Sequence, residues 1–219
     1  MQPVTVPGYL TIAHDGTAQI EVKRSRFIGH VAWAGSEEQA RAVVEQVRKE
    51  HWDARHHCSA FVLGPDAAVT RSSDDGEPSG TAGAPMLEVL RGRGVSDVAA
   101  VVTRYFGGVL LGAGGLVRAY SDSVRAALDS VGVLERRLLR LFDVEVEHAL
   151  VGRVENDLRA RGVLVRGVDY AEAATLHLGV DAANEEELHG LLAELTGGSS
   201  PLRPAGSAWV DVPSAGGGS

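Results

Sequence analysis

The last third of the chain alternates between strand-like and helix-like hydrophobic patterns. Apolar and charged residues alternate at the end of Leu138–Glu147, which predicts a half-buried strand. Apolar residues then recur every three or four positions in 148–161, which predicts a helix that ends before Gly162. Two strand-like runs follow, at 163–170 and 173–180. A helix capped by Asn184 comes next, and a last strand is predicted at 207–212. The order βαββαβ predicts a ferredoxin-like domain.

The first part of the chain predicts a mixed α+β domain of a different order. Strands are expected at Gly8–His14, Thr17–Val22, Ser25–Trp33, Ser59–Leu63 and Val98–Phe106. One helix opens at Ser36 with Gln39 placed for a capping box, and another ends at Gly132. The polar, Gly- and Pro-containing segment from Gly64 to Gly83 is expected to be a long loop, and loops of that length are functional or disordered.

Length and composition favour two domains. The chain has 219 residues, of which 44% are hydrophobic, and this suits two cores better than one. We expect a first domain at 1–134 and a ferredoxin-like second domain at 135–212. The Gly- and Ser-rich residues 213–219 have the composition of a flexible tail.

Charge and cysteine content narrow the function. The net charge is −8, and the first 134 residues carry 13 Lys and Arg against 15 Asp and Glu, so any RNA contact must be local. A single cysteine excludes an intramolecular disulfide. The longest strongly apolar run is far shorter than the roughly 20 residues of a membrane helix, and the N-terminus has no signal-peptide pattern. We therefore expect a cytoplasmic protein that does not bind membranes.

The first candidate site is the acidic loop, Arg71 to Gly83. Three carboxylates, on Asp74, Asp75 and Glu77, lie within four residues. They would suit a hard cation such as magnesium, or would accept hydrogen bonds from Arg71 and from Arg104 elsewhere in the chain. A solvated Asp–Gly turn is the third interpretation.

The second candidate site is the glycine-rich loop, whose glycines run from Gly107 to Gly115 between a predicted strand and a predicted helix. Backbone N–H groups at such a junction stabilise a phosphate or carboxylate, and nearby arginines add charge-assisted bonds. The alternative is that the glycines permit a tight turn and close packing. The candidate binding residues are Arg104, Tyr105, Gly107, Gly108, Gly112, Gly114, Gly115 and Arg118.

The third candidate is His56-His57-Cys58. A cysteine and a histidine can form a nucleophile and its base, but neighbouring residues of a strand point to opposite faces, so only His56 and Cys58 share one. A buried structural thiol is the favoured interpretation.

Taken together, these segments resemble the IMPACT/YigZ family. The similarity covers about Val22 to Val131 and rests on long motifs in one order: Arg24-Ser25-Arg26-Phe27, His56 to Phe61, Ser73 to Pro85, Val101 to Gly108 and Ala119-Tyr120-Ser121. It implies a βαβ domain like those of ribosomal proteins and the fourth domain of elongation factor G, followed by a ferredoxin-like domain. One position departs from the family, because Leu110 stands where a lysine is usual.

The resemblance implies a link to translation, since eukaryotic relatives are associated with regulation of its initiation. Our preferred interpretation is therefore a binding module rather than an enzyme, one that contacts structured RNA or a translation factor. The alternative is a phosphate-handling enzyme in which the acidic loop holds magnesium and the glycine-rich loop holds phosphate. No nucleophile–base pair is visible in the sequence, and magnesium is the one cofactor that the residues suggest.

Overall fold

The structure is a computed structural model that describes residues 8–212, and the predicted tail at 213–219 lies outside them. The described residues form two compact units, one of residues 8–136 with Val212 and one of residues 137–211. The boundary that the sequence predicts between Leu134 and Glu135 stays a prediction. Within 8–212, no helix is long and apolar enough to cross a membrane.

The first unit is a mixed α+β domain built on a five-stranded antiparallel sheet with strand order β2-β3-β6-β4-β5. Its elements are β1 (Gly8–Ile12), β2 (Gly16–Val22), β3 (Ser25–Trp33), α1 (Glu37–Glu50), β4 (His56–Leu63), β5 (Val69–Ser73), α2 (Gly83–Arg93), β6 (Val98–Tyr105) and α3 (Ala113–Val131).

The central strand, β6, explains how this unit packs. Helices α2 and α3 cover one face of the sheet, and α1 covers the other with a smaller apolar cluster. Every residue of β6 from Val98 to Arg104 is buried, as its continuous apolar run predicts. The start of α1 also follows the sequence, because the Ser36 hydroxyl accepts a hydrogen bond from the Gln39 N–H at 3.2 Å.

Two elements of the first unit differ from the predicted organisation. The expected loop from Gly64 to Gly83 contains β5, an edge strand that pairs only with β4 and is too polar to show a hydrophobic period. The loop also leads directly into α2, whose N-cap position, Ala82, has no capping side chain of its own. The group that caps α2 comes from Asp74, eight residues earlier, so no local signal marks the start of this helix.

The second unit has the predicted ferredoxin-like order. It comprises β7 (Val133–Val146, which begins in the first unit), α4 (Val151–Ala160), β8 (Leu164–Tyr170), β9 (Ala174–Val180), α5 (Glu185–Thr196) and β10 (Leu202–Val212). The strands lie in the order β10-β7-β9-β8, and the two helices share one apolar core with the sheet. Strand β10 begins five residues before the predicted Ser207.

A charged triad lies on the sheet of the second unit. His177 on β9 is 2.7 Å from the carboxylate of Asp143 through Nδ1 and 2.9 Å from that of Asp169 through Nε2. Both ring nitrogens can donate only when the ring is protonated. The hydrogen bonds to Asp169 and then to Asp143 accordingly raise the pKa of His177 above its ordinary value of 6.5.

We predict that His177 stabilises the second unit at low pH. Because its pKa is raised on folding, the contribution is fully present below about pH 6.5 and is lost as the pH rises through the folded value. The difference in unfolding free energy between the wild type and His177→Gln should therefore be larger at pH 5.5 than at pH 8.5 in urea melts. His14→Gln is the control, since the His14 ring bonds only a backbone carbonyl in the described structure. A pH-independent His177→Gln effect would contradict the prediction.

We also predict that the two units fold separately, because each has an apolar core of its own. Fragments 1–136 and 137–219 should each show a cooperative urea transition by circular dichroism. A fragment that loses signal gradually, without a transition, would show that its fold depends on the other one.

Candidate functional site

Glu77 of the acidic loop is buried in the first unit. Its side chain is 3% exposed, and Oε1 accepts hydrogen bonds from Arg104 Nη1 at 2.7 Å and from the Tyr120 hydroxyl at 2.8 Å. Arg104 lies on β6 and Tyr120 on α3, so one carboxylate connects the loop to the sheet and to a helix. Arg104 is the partner that the sequence suggests for this loop, whereas Tyr120 is not among the predicted site residues.

Asp74 caps helix α2. Its Oδ1 accepts from the N–H groups of Ala82 and Gly83 at 3.0 and 2.8 Å, and its Oδ2 accepts from Gly80 N–H at 2.8 Å. Partial desolvation opposes ionisation, but these three N–H groups together hold the pKa of Asp74 below its ordinary value. The carboxylate thus replaces the capping side chain that Ala82 lacks.

Asp75 fixes the start of β4. Its carboxylate accepts from Arg48 Nη2 and from the backbone N–H of His57, both at 2.7 Å, and its carbonyl oxygen lies 2.9 Å from Nδ1 of His56. These bonds span helix α1, the loop and β4. Asp75 adopts a positive φ of 41°, a conformation that costs a non-glycine residue free energy and that the surrounding bonds maintain.

Cys58 is a structural thiol in this arrangement. It is fully buried, and its Sγ donates to the carbonyl oxygen of Asp74 at 2.9 Å. Burial raises the pKa of the Cys58 thiol to about 12, so the thiolate needed for nucleophilic attack is scarce at neutral pH. Burial, followed by the neighbouring Cys58 and Glu77, also raises the pKa of Tyr120.

The three carboxylates therefore face three different sets of protein donors. Within residues 8–212, no group of three His, Cys, Asp or Glu side chains is placed to hold a metal ion. Arg71 lies apart from the loop carboxylates: it projects from β5, donates to the carbonyl oxygen of Thr70 and is 3.5 Å from Glu37. The geometry favours hydrogen bonding over cation binding by Asp74, Asp75 and Glu77, and the magnesium site stays a prediction.

The structural reason for glycine differs between the start and the end of the glycine-rich loop. Gly107 is required for packing, because a Cβ atom there would lie 2.0 Å from the backbone carbon of Arg24. Its N–H also bonds the Ser25 hydroxyl at 3.1 Å. A Cβ on Gly114 would meet nothing within 4 Å, and one on Gly115 would meet only the side chain of Leu111. Close packing therefore explains the glycine at position 107 but does not explain the glycines at positions 114 and 115.

The first turn of α3 follows this loop. Its N-cap, Gly112, has a φ of 75° and supplies no side-chain hydrogen bond, and Gly108 also has a positive φ, of 84°. Arg118 is exposed one turn into the helix, and no ion pair of the described residues includes it. Since helical side chains point back toward the N-terminus, Arg118 projects over Gly114 and Gly115.

The sequence patterns do not predict one further candidate site, a group of cations at one end of the sheet. Lys23 and Arg24 form the turn between β2 and β3, Arg26 is paired with Tyr105 across β3 and β6, and Arg55 precedes β4. We call the four cations together with Tyr105, on which Arg26 lies, the basic end. The guanidinium of Arg26 lies 4.4 Å from the centre of the Tyr105 ring. The four charged side chains are exposed, and no ion pair of the described chain includes them.

Beside the basic end lies a cleft of about 350 Å³. It is lined by Asp53, Ala54, Arg55, His56, Arg104, Tyr105, Phe106 and Leu110. Phe106 is 55% exposed and Leu110 is 82% exposed, so two large apolar side chains of this cleft are open to solvent. The run Lys23-Arg24-Ser25-Arg26 and the exposed position of Phe106 after a buried strand are the sequence signals that could have identified this region.

The basic end and the cleft lie within the part of the chain that matches a family model. Residues 23–128 match the Impact N-terminal domain, and residues 144–199 match a domain of unknown function, DUF1949. The Bacillus subtilis IMPACT family member YvyE is 41% identical over 195 residues, which cover 89% of this chain and 90% of YvyE. The chain belongs to the IMPACT family. The Escherichia coli member YigZ is 42% identical over 83% of this chain and 90% of its own.

Solved structures extend the IMPACT family comparison. A crystal structure described as that of a hypothetical protein is 41% identical, covers 90% of this chain and 96% of its own, and has a TM-score of 0.60. The two-domain translational regulator Yih1 matches 56% of this chain and 47% of its own at 28% identity. Its TM-score of 0.34 is too low for the match to carry an inference.

We predict that Glu77→Ala lowers the unfolding free energy by about 3–5 kcal/mol, because it leaves the buried Arg104 without its counter-charge. Adding Arg104→Met should restore part of that loss, since it removes the uncompensated charge. Urea melts of the full-length variants measure both effects. Glu88→Ala removes an exposed acid that pairs only with Arg91, and it should change the unfolding free energy by less than about 1 kcal/mol. Equal losses in Glu77→Ala and Glu88→Ala would refute the structural role of Glu77.

Proposed function

We propose that this IMPACT family member is a translation-associated regulatory protein that binds structured RNA through the basic end. The family resemblance supplies the link to translation. The observation that carries the RNA proposal is the turn between β2 and β3. Two cationic residues of this turn have a backbone conformation that is unfavourable for their side chains.

Lys23 and Arg24 have φ values of 46° and 66°. A two-residue hairpin turn with positive φ at both positions favours Asn-Gly, because most other side chains are strained there by about 1 kcal/mol or more each. The turn nevertheless carries two long cations that point into solvent and contact no acid in the described structure. Strain retained at an exposed charged turn supports a binding role for those side chains.

The surroundings of the turn suit a nucleic acid. Tyr105 carries Arg26 on its ring, and Phe106 stands exposed beside it, so cations and aromatic rings are interleaved. Arginine and aromatic side chains contact phosphates and bases respectively. Glu21 is the nearest acid by strand pairing, opposite Arg26, and it forms no ion pair with it. Because the net charge of the chain is −8, any RNA contact must use a local basic surface, and the basic end is such a surface.

The alternative function, a magnesium-dependent phosphate-handling enzyme, lacks a supporting observation. Asp74, Asp75 and Glu77 each accept hydrogen bonds from protein groups, and the Cys58 thiol is buried. A translation factor is the other partner class in the sequence interpretation. An acidic factor would also suit the basic end, but the interleaved aromatic side chains favour RNA.

We predict opposite effects on stability and binding when the turn is optimised. The double variant Lys23→Asn, Arg24→Gly should unfold at higher urea concentration, with a gain of about 1 kcal/mol, because both positions lose their strain. The same variant should bind fluorescein-labelled ribosomal RNA hairpins about tenfold or more weakly in anisotropy titrations. Its logarithmic salt dependence should fall by about two, one for each phosphate contact removed.

Ala67→Gly is the matched control for this experiment. Ala67 also has a positive φ, 54°, and is exposed, but it lies in the hairpin between β4 and β5 at the opposite end of the sheet. It should gain stability and keep the RNA affinity of the wild type. Unchanged RNA affinity in the double variant would defeat the proposal. Absence of binding by the wild type to every hairpin would defeat it equally, and binding of a purified translation factor would then identify the other class of partner.

A further inference from the structure

The cleft beside the basic end contains an arginine with unused hydrogen-bonding capacity. Arg104 is 8% exposed, and within residues 8–212 the Glu77 carboxylate, bonded by Nη1, is the only acceptor for its five N–H groups. Its Nε is enclosed and has no partner among the described residues. Buried donors are normally satisfied, and although the enclosed Nε is closed to a ligand, the Nη donors that Glu77 does not bond favour an acceptor within the cleft that Arg104 lines.

The two guanidinium groups of the cleft favour an anion as that acceptor. Arg55 and Arg104 line it against a single carboxylate, that of Asp53, which already accepts from the Tyr105 hydroxyl at 3.0 Å. Glu77 offsets the charge of Arg104, so the cleft residues and Glu77 together have no net charge, but Arg55 is exposed and has no ion pair in the described structure and is free to bind an anion. Phosphate accepts several bonds from such a pair of guanidinium groups.

The remaining walls of the cleft suit a nucleoside. Phe106 and Leu110 present exposed apolar surface, and bases stack readily on an aromatic ring. The volume of about 350 Å³ is at the lower end of the range of small-molecule sites, about 300–1,000 Å³. The cleft therefore has room for one small ligand, such as a single nucleotide.

His56 supplies an acceptor in the same cleft. Because the Asp75 carbonyl oxygen can only accept, Nδ1 of His56 carries the proton of their 2.9 Å hydrogen bond. In the neutral ring, Nε2 is then an acceptor, and no described group bonds it. A ribose hydroxyl is the donor that a nucleotide would bring, and the 2′-hydroxyl is the group that distinguishes RNA from DNA.

We propose that the cleft binds one unpaired ribonucleotide, with its phosphate against Arg55 and Arg104, its base against Phe106 and a ribose hydroxyl against Nε2 of His56. The proposal deepens the RNA-binding function above and rests on it where the nucleotide is part of an RNA. A free ribonucleotide has the same chemistry, so the test includes both sources.

The test is calorimetry and anisotropy on the full-length protein. The free ligands are adenosine 5′-monophosphate, adenosine and 2′-deoxyadenosine 5′-monophosphate, and the RNA ligands are one hairpin with a single-nucleotide bulge and the same hairpin without it. Phe106→Ala and Arg55→Ala change exposed side chains and should preserve the fold. Tyr170→Ala and Arg166→Ala are matched controls in the second unit, where Tyr170 is 68% exposed and Arg166 is exposed.

We expect Phe106→Ala and Arg55→Ala each to weaken binding of adenosine 5′-monophosphate and of the bulged hairpin about tenfold, with no effect of either control. Adenosine should bind at least tenfold more weakly than its monophosphate, and the deoxynucleotide about threefold to tenfold more weakly. Equal binding of the deoxynucleotide would overturn the assignment of His56.

Two outcomes separate this inference from the RNA-binding proposal. If hairpins bind through Lys23 and Arg24 while Phe106→Ala, which changes a cleft residue outside the basic end, leaves both the nucleotide and the bulged hairpin unaffected, the nucleotide site is overturned and the RNA-binding function stands. If the monophosphate binds through Phe106 and Arg55 while no hairpin binds, the cleft is a site for a free nucleotide and the RNA-binding function is overturned.

Discussion

The Glu77 carboxylate holds three elements of the first unit together. It accepts bonds from Arg104 on β6 and from Tyr120 on α3, and it belongs to the loop that follows β5. A carboxylate with 3% exposure is tolerated in an apolar core only when a counter-charge and a hydrogen bond replace its water. This side chain therefore anchors the acidic loop to the sheet and to α3, and the bonds of Asp74 and Asp75 hold the rest of the loop.

Because the loop is held there, its backbone positions the groups beneath it. The Asp75 carbonyl oxygen bonds His56, and the Asp74 carbonyl oxygen bonds the Cys58 thiol, so two successive peptide groups cover the start of β4. Arg104 is oriented by the same carboxylate and lines the cleft together with His56. The acidic loop thus determines the shape of the cleft without lining it, and a ligand finds the cleft walls already ordered.

The sequence predicted the ferredoxin-like order of the second unit because that order rests on local hydrophobic periods and on helix-stopping glycines. It predicted Arg104 as a partner of the acidic loop from charge alone. It did not predict Tyr120 as the second partner or Asp74 as the cap of α2, since both contacts join residues far apart along the chain. The basic end was not predicted for a related reason: Arg55 becomes a neighbour of the run Lys23-Arg24-Ser25-Arg26 only through strand pairing.

On the RNA-binding proposal, the overall negative charge would restrict nucleic-acid binding to the basic end. At physiological salt a charge is screened within about 8 Å, so Lys23 and Arg24 attract phosphate only at close range. The whole chain has 29 acidic against 21 basic residues, and four of the basic ones belong to the basic end, so the charge of the remainder disfavours nucleic acid. Bulk attraction to a nucleic acid is weak under these conditions, so the proposed affinity would come from direct contacts at the turn and in the cleft. A partner whose shape brings phosphate and an unpaired base to those two places is favoured over a uniform duplex.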